Sequence, residues 1–258
     1  MSNETPDPTE RWCAFLDEAR RLIDAQDTRA ARATLDETIA YVDETWGLDD
    51  VHLIRPLRLM AESHFRDHAP LDPNNEREVE CLQRALAVAR RRLPGDHLEV
   101  AMLAGEVGTA LVMAGYIDEG CELKLECLAI ARQNGWEDDF LRYLPGLGHA
   151  RMAQGRPAEA LPYYERSASG YERRDSSSIV HAIARYHLGR CLHQLGRHQE
   201  AIDELQLALS VTDAKRVHGS HASLMNEIMS TIDLVKSELQ GGQARGVSEL
   251  APEGKRPL

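Results

Sequence analysis

Residues 186–212, YHLGRCLHQLGRHQEAIDELQLALSVT, read as two amphipathic helices reversed at Gly196. Leu188, Leu192 and Leu195 share one face of the first helix. Ala201, Ile202, Leu205, Ala208 and Leu209 share one face of the second. A glycine between two such runs is where a chain reverses direction. One hairpin of this kind cannot bury its apolar face alone, so it must stack on neighbours built the same way. The chain supplies them about every forty residues. The small residue Gly189 has counterparts at Gly148, Gly108, Ala61 and Ala19. The turn glycine recurs at Gly155 and Gly115, and the small Ala201 of the second helix at Ala160, Gly120 and Ala31. Three markers on one period predict an all-α array of stacked helix pairs.

The pattern is small-x6-Gly-x4-small, followed four residues later by a bulky side chain (Leu35, Tyr164, Leu205). It resembles the tetratricopeptide repeat (TPR). The match is best at 179–212, good at 138–174 and 97–134, and weaker at 10–45 and 51–93. The period exceeds the common repeat of about 34 residues. Residues 93–101 (LPGDHLEVA) and 46–50 (WGLDD) look like the connectors of the long, kinesin-light-chain-like repeats. HEAT and armadillo arrays have a similar period but lack the Gly-turn-Ala spacing. The resemblance implies a right-handed superhelical solenoid of about five TPR-like helix pairs. They would span residues 9–45, 50–93, 97–134, 138–174 and 179–213, with a polar-faced capping helix at 220–239. Residues 1–8 read as a loose acidic tail, and 241–258, rich in Gly, Pro and charge, as a disordered one.

Local signals fill in this frame. Asp49, Asp96, Asp138, Ser178 and Ser220 suit helix N-caps, and Pro157 suits a first helical turn. Pro145 is expected to start or kink its helix, and Pro162 falls within a second helix. In the second pair the tight turn is replaced by a longer loop, residues 67–75, carrying Pro70, Pro73, Asn74 and Asn75. Such a loop is a place for specificity in an otherwise regular array.

The chemistry-bearing residues argue for holding a partner rather than for catalysis. No GxGxxG follows a strand, and GxxxxGK[ST], HExxH and GxSxG are missing, so neither an enzyme nor a cofactor is expected. Gly105 with Gly108, and Gly146 with Gly148, read as helix-contact residues. The five cysteines (Cys13, Cys81, Cys121, Cys127, Cys191) form no CxxC pair and read as reduced, packed thiols. His64 and His68 share a helix face, but no third ligand is evident, and His187 and His193 point apart; no metal is assigned. A net charge of −12 disfavours nucleic acid and anionic membrane as partners. No apolar run is long enough to span a bilayer and no secretory leader is evident, so a soluble, cytoplasmic protein is expected.

In proteins similar to this one, the first helix of each pair lines the concave surface. Carried over, the lining includes Leu16, Asp17, Arg20 and Ile23; Arg58, Leu59, Glu62 and Phe65; Gly105, Glu106, Thr109 and Val112; Pro145, Gly146, His149 and Met152; and Tyr186, His187, Arg190 and His193. Arg55, Arg66 and Arg142 lie one step away. This groove carries more arginine and histidine than carboxylate inside an acidic protein, and so reads as a dock for an acidic peptide or partner-protein segment. The opposing reading is that these arginines pair with neighbouring Asp and Glu across repeats. The sites at which some relatives clamp a C-terminal carboxylate hold Leu16, Arg20, Leu59 and Glu62, so no such clamp is expected. A second functional reading is a peptide-responsive regulator acting on a separate effector chain. Self-association through the ends of the array stays open.

Overall fold

The computed structural model describes residues 7–67, 76–214 and 221–249. Every regular element among them is helical: α1 (Pro8–Asp24), α2 (Thr28–Thr45), a 3-10 turn (Val51–Leu53), α3 (Ile54–Asp67), α4 (Glu76–Arg92), α5 (Leu98–Met113), α6 (Ile117–Gln133), α7 (Glu137–Ala153), α8 (Pro157–Asp175), α9 (Ile179–Gln194), α10 (His198–Ala214) and α11 (Ala222–Glu249). The all-α class expected from the recurring hairpin is what forms. The chain divides into two compact units, Met1–Gly146 and Leu147–Leu258, with the division inside α7. No helix among the described residues is long and apolar enough to cross a membrane.

The recurring turn has one hydrogen-bond pattern. After α9, Gly196 N–H donates to His193 O (2.9 Å) and Arg197 N–H reaches back to Leu192 O (3.0 Å). This is the Schellman closure, which satisfies the last helical carbonyls and requires a left-handed residue. Gly115 and Gly155 repeat it at φ 92° and 70°, as Gly196 does at 73°. The first pair has no glycine there. Gln26 takes φ 63° in its place, with Asp27 N–H bonded to Leu22 O at 2.9 Å.

In the first unit each of α1 to α5 packs on the next helix, and α1 also touches α3. Its interior is aliphatic: Leu16, Ile23 and Leu35 at one end, then Leu53, Leu103 and Val107, all essentially inaccessible to water. Burying each such side chain is worth about 1.5–3 kcal/mol. The small markers set how closely the helices cross. A methyl on Gly108 would lie 2.8 Å from the Gly120 carbonyl oxygen, and one on Gly120 2.7 Å from that of Gly108, so α5 and α6 meet backbone to backbone. In the second unit α8 packs on α9, α9 on α10 and α10 on α11, with α9 also touching α11. Tyr164, Leu205 and Ile228 form its core.

The local signals fare unequally. Ser178 caps α9, accepting from His181 N. Asp50, not Asp49, caps the 3-10 turn, and His97, not Asp96, caps α5. Asp49 instead accepts from Arg91 at 2.5 Å, and Asp138 lies within the first turn of α7. Helices α7 and α8 run on through Pro145 and Pro162, so Pro145 does not start its helix. The helical backbone of α11 continues to Glu249, beyond Leu239. Residues 68–75, including His68, and Ser220 lie outside the described residues. Cys121, Cys127 and Cys191 are buried, and burial pushes the Cys127 thiol up to about 12 and Cys191 up to about 11. They are packed, unreactive thiols.

Candidate functional site

The first unit holds an open cavity of about 760 Å³, lined chiefly by α1, α3 and α5. Helical spacing explains the wall: Arg55, Arg58, Leu59 and Glu62 recur at three- and four-residue steps along one face of α3. Arg20 of α1 and Glu106, Thr109 and Met113 of α5 flank it. The rim is set by the 3-10 turn. Trp12 Nε1 donates to His52 O (3.2 Å), and the His52 ring stacks on Trp46 at 4.2 Å, which brings Val51 to the opening. Val51, Phe65 and Met113 are large apolar residues that stay exposed.

The arginines of this wall are mostly held. Arg20 Nη1 donates to both oxygens of Glu62, at 2.9 and 2.8 Å. Arg66 Nη2 donates to Glu62 Oε1 at 2.8 Å. Arg58 forks onto Glu106, with Nε at 2.9 Å from Oε2, and reaches Glu99 at 3.2 Å. Burial works against its charge, but the bonds to Glu106 and Glu99 raise the Arg58 pKa. Glu62, Glu78, Glu99 and Glu106 all line the cavity. The excess of positive charge expected from sequence is therefore offset by carboxylates within the same wall. Arg55 differs: it is exposed and forms no ion pair among the described residues.

Beneath Thr109 lies a group that the sequence reading passed over. Lys124 of α6 is only 5% exposed. Its Nζ donates to Thr109 Oγ1 at 2.7 Å, and Thr109 donates in turn to Gly105 O at 2.9 Å. Burial drives the Lys124 pKa down, and no carboxylate pairs with it among the described residues. Nearby, the Tyr143 hydroxyl is buried without a hydrogen-bond partner among them. The signal for Lys124 was its position, four residues from both Gly120 and Leu128 on the inward face of α6.

The second unit gathers four of the expected residues. His149 Nε2 lies 3.2 Å from His187 Nδ1. The His187 ring stacks on Tyr164 and leans on Tyr186. Tyr186 donates its hydroxyl to Glu227 Oε1 at 2.7 Å, and the Arg190 guanidinium lies 5.6 Å from the Tyr186 ring centre. Burial, then the charges of His149 and Arg190, depress the His187 pKa to about 3, so the imidazole is neutral at physiological pH. Arg190 forms no ion pair among the described residues. Arg142 pairs with Asp139 on its own helix and lies over Tyr143. His193 is not in this cluster; it lies at the end of α9 beside His198.

Against known proteins, residues 141–214 match the tetratricopeptide repeat family. No curated protein matches the chain in sequence. Among solved structures, the kinesin light chain nearly identical TPR-like repeats of Podosopora anserina superpose with a TM-score of 0.69 at 18% identity, covering 82% of this chain and 99% of that one. BtubC (BKLC) of P. vanneervenii gives 0.61 at 15% identity over 98% and 97%. Aspartyl phosphate phosphatase F of Bacillus subtilis gives 0.70 at 12% identity over 94% of this chain and 59% of that chain. At these identities the likeness is one of fold. Residues 141–214 thus carry the tetratricopeptide repeat, and the chain as a whole shares the fold of the solved TPR-like repeats.

Proposed function

We propose that the chain is a non-catalytic interaction module that binds a segment of a partner protein in the cavity of its first unit. The observation that carries this is the juxtaposition on one wall of exposed apolar residues (Val51, Phe65, Met113) with an arginine, Arg55, that has no ion-pair partner among the described residues. Such a wall suits a segment with an apolar anchor and an adjacent carboxylate. Arg20 and Arg58 are fixed by glutamates, so they shape the wall, and an acidic ligand would have to displace those glutamates to pair with them. The acidity of the partner is thus narrowed to a carboxylate near Arg55.

The test compares wild type with Arg55→Glu/Phe65→Ala. Partners captured by the wild type are tiled as peptides, and binding is measured by fluorescence anisotropy. The expected result is a peptide bound at least about tenfold more weakly by the variant, a difference of about 1.4 kcal/mol, with helicity and melting unchanged. Equal affinity for both proteins would place binding elsewhere. Compaction in small-angle scattering on adding the peptide would favour the peptide-responsive regulator.

A further inference from the structure

His193, His198 and Glu238 come from three different helices and meet at the last described turn between helices. His193 lies in the last turn of α9, His198 begins α10 across the Gly196 turn, and Glu238 lies on α11. One ligand atom from each residue lies within 4.8 Å of the other two. The two Nδ1 atoms face each other at 3.4 Å, and His193 Nε2 lies 3.8 Å from Glu238 Oε2. Both histidines are half-buried, and Glu238 is exposed.

We propose that these three residues bind one divalent transition-metal ion of the zinc class. A tetrahedral ion with metal–nitrogen bonds of about 2.0–2.1 Å holds two ligand nitrogens about 3.3–3.4 Å apart, which is the separation of the two imidazoles here. For a hydrogen bond the same distance is long. Two nitrogens and a carboxylate suit Zn²⁺ and its neighbours and do not suit Ca²⁺ or Mg²⁺, which take oxygen ligands. The histidines are preset by the helix ends that carry them, on either side of a turn whose hydrogen bonds fix its shape. The 3.8 Å contact of Glu238 is with Nε2, the His193 nitrogen away from His198, so this exposed side chain turns to the Nδ1 side to close on the ion. Three protein ligands leave a fourth position for water or for a donor from another chain. An ion here ties α11 to the α9–α10 turn, so it fastens the last helix to the array.

The experiment titrates tag-free full-length protein with ZnCl2 against a chromophoric zinc indicator at pH 7.5, and repeats the binding with Co²⁺ read by its visible absorption. The proposal expects one saturable site per chain, tetrahedral Co²⁺ bands, and a higher melting temperature with Zn²⁺ than with EDTA. His193→Ala and His198→Ala each weaken binding at least about tenfold, Glu238→Gln weakens it less, and His149→Ala leaves it unchanged. Melting of each variant in EDTA shows whether it folds, and His198→Gln replaces any that does not. The absence of a saturable site, or binding that survives loss of both His193 and His198, would overturn the proposal. The pair would then be a hydrogen-bonded imidazole couple beside a carboxylate and nothing more. Loss of binding with His149→Ala alone would likewise overturn it, by moving the ion to the other histidine pair.

Discussion

Gln26 holds the conformation that glycine holds in the later turns, at φ 63°. A left-handed backbone costs a side-chain-bearing residue about 1–2 kcal/mol, so Gln26→Gly is expected to stabilise the protein by about 1 kcal/mol in urea unfolding. No gain would mean that the turn relaxes around the side chain. Gly108 is the opposite case. Its alanine variant gains helix propensity but drives a methyl to 2.8 Å from a carbonyl on α6, which cannot move as a side chain can. Gly108→Ala should cost about 1–3 kcal/mol. At His187 the sign follows from linkage. Its folded pKa, depressed to about 3, lies below the ordinary 6.5, so between these values only the unfolded chain takes up the proton. Stability is intact above pH 6.5 and falls as pH drops, by at most about 1.4 kcal/mol per pH unit from this group. His149, Arg190, Tyr164 and Tyr186 surround it and add no carboxylate to hold the charge. Urea unfolding at pH 7.5 and 5 should show a smaller loss for His187→Gln than for wild type. Equal losses would mean that the imidazole is solvated. The turn glycines were legible in sequence because only a few residues tolerate that backbone. The left-handed Gln26 was not, because its side chain gives no sign of it.

Helices were legible because burial has a period. The 3.6-residue stripe marks the inward face of each one, and tight crossings need small residues at fixed steps. Ion pairs leave no such trace. Arg20 and Glu62 are 42 residues apart, and Arg58 and Glu106 are 48 apart, so their pairing depends on α1, α3 and α5 lying side by side. Sequence could place each arginine on the lining, but it could not show that a glutamate from the next lining helix holds it. The same gap hid Lys124, a charged residue at an inward position of α6. Lys124→Met removes a buried cation whose described hydrogen bond runs only to Thr109. It should raise stability by about 1–3 kcal/mol at pH 7. Because the folded pKa of Lys124 is lowered, its penalty is full below that value. It shrinks as pH rises, and the gain from Lys124→Met shrinks with it up to about pH 10.5. Thermal melting of wild type and variant at pH 7 and 10 reads both effects. A destabilised Lys124→Met would show that the amine has further partners or solvent access.

For the whole molecule, one repeat period predicted an all-helical array, and that class formed. The 67–75 segment, read from sequence as a longer loop in place of the second pair's turn, lies outside the described residues except for Asp67. Of the expected lining, Arg20, Arg55, Arg58, Glu62 and Thr109 share the first-unit cavity, with Arg66 bonded to its Glu62. His149, Tyr186, His187 and Arg190 share the second-unit cluster. His193 lies apart from that cluster, in the last turn of α9 beside His198. The proposed function puts a partner segment along α1, α3 and α5 of the first unit. The most direct measurement is site-specific photocrosslinking, with benzoylphenylalanine replacing Met113 in the cavity or Leu125, exposed on α6, in the presence of the partner. A segment bound there crosslinks from position 113, loses that crosslink in the Arg55→Glu/Phe65→Ala background, and gives none from position 125. A crosslink from 125 alone would contradict it and put the partner on the face the second helices expose.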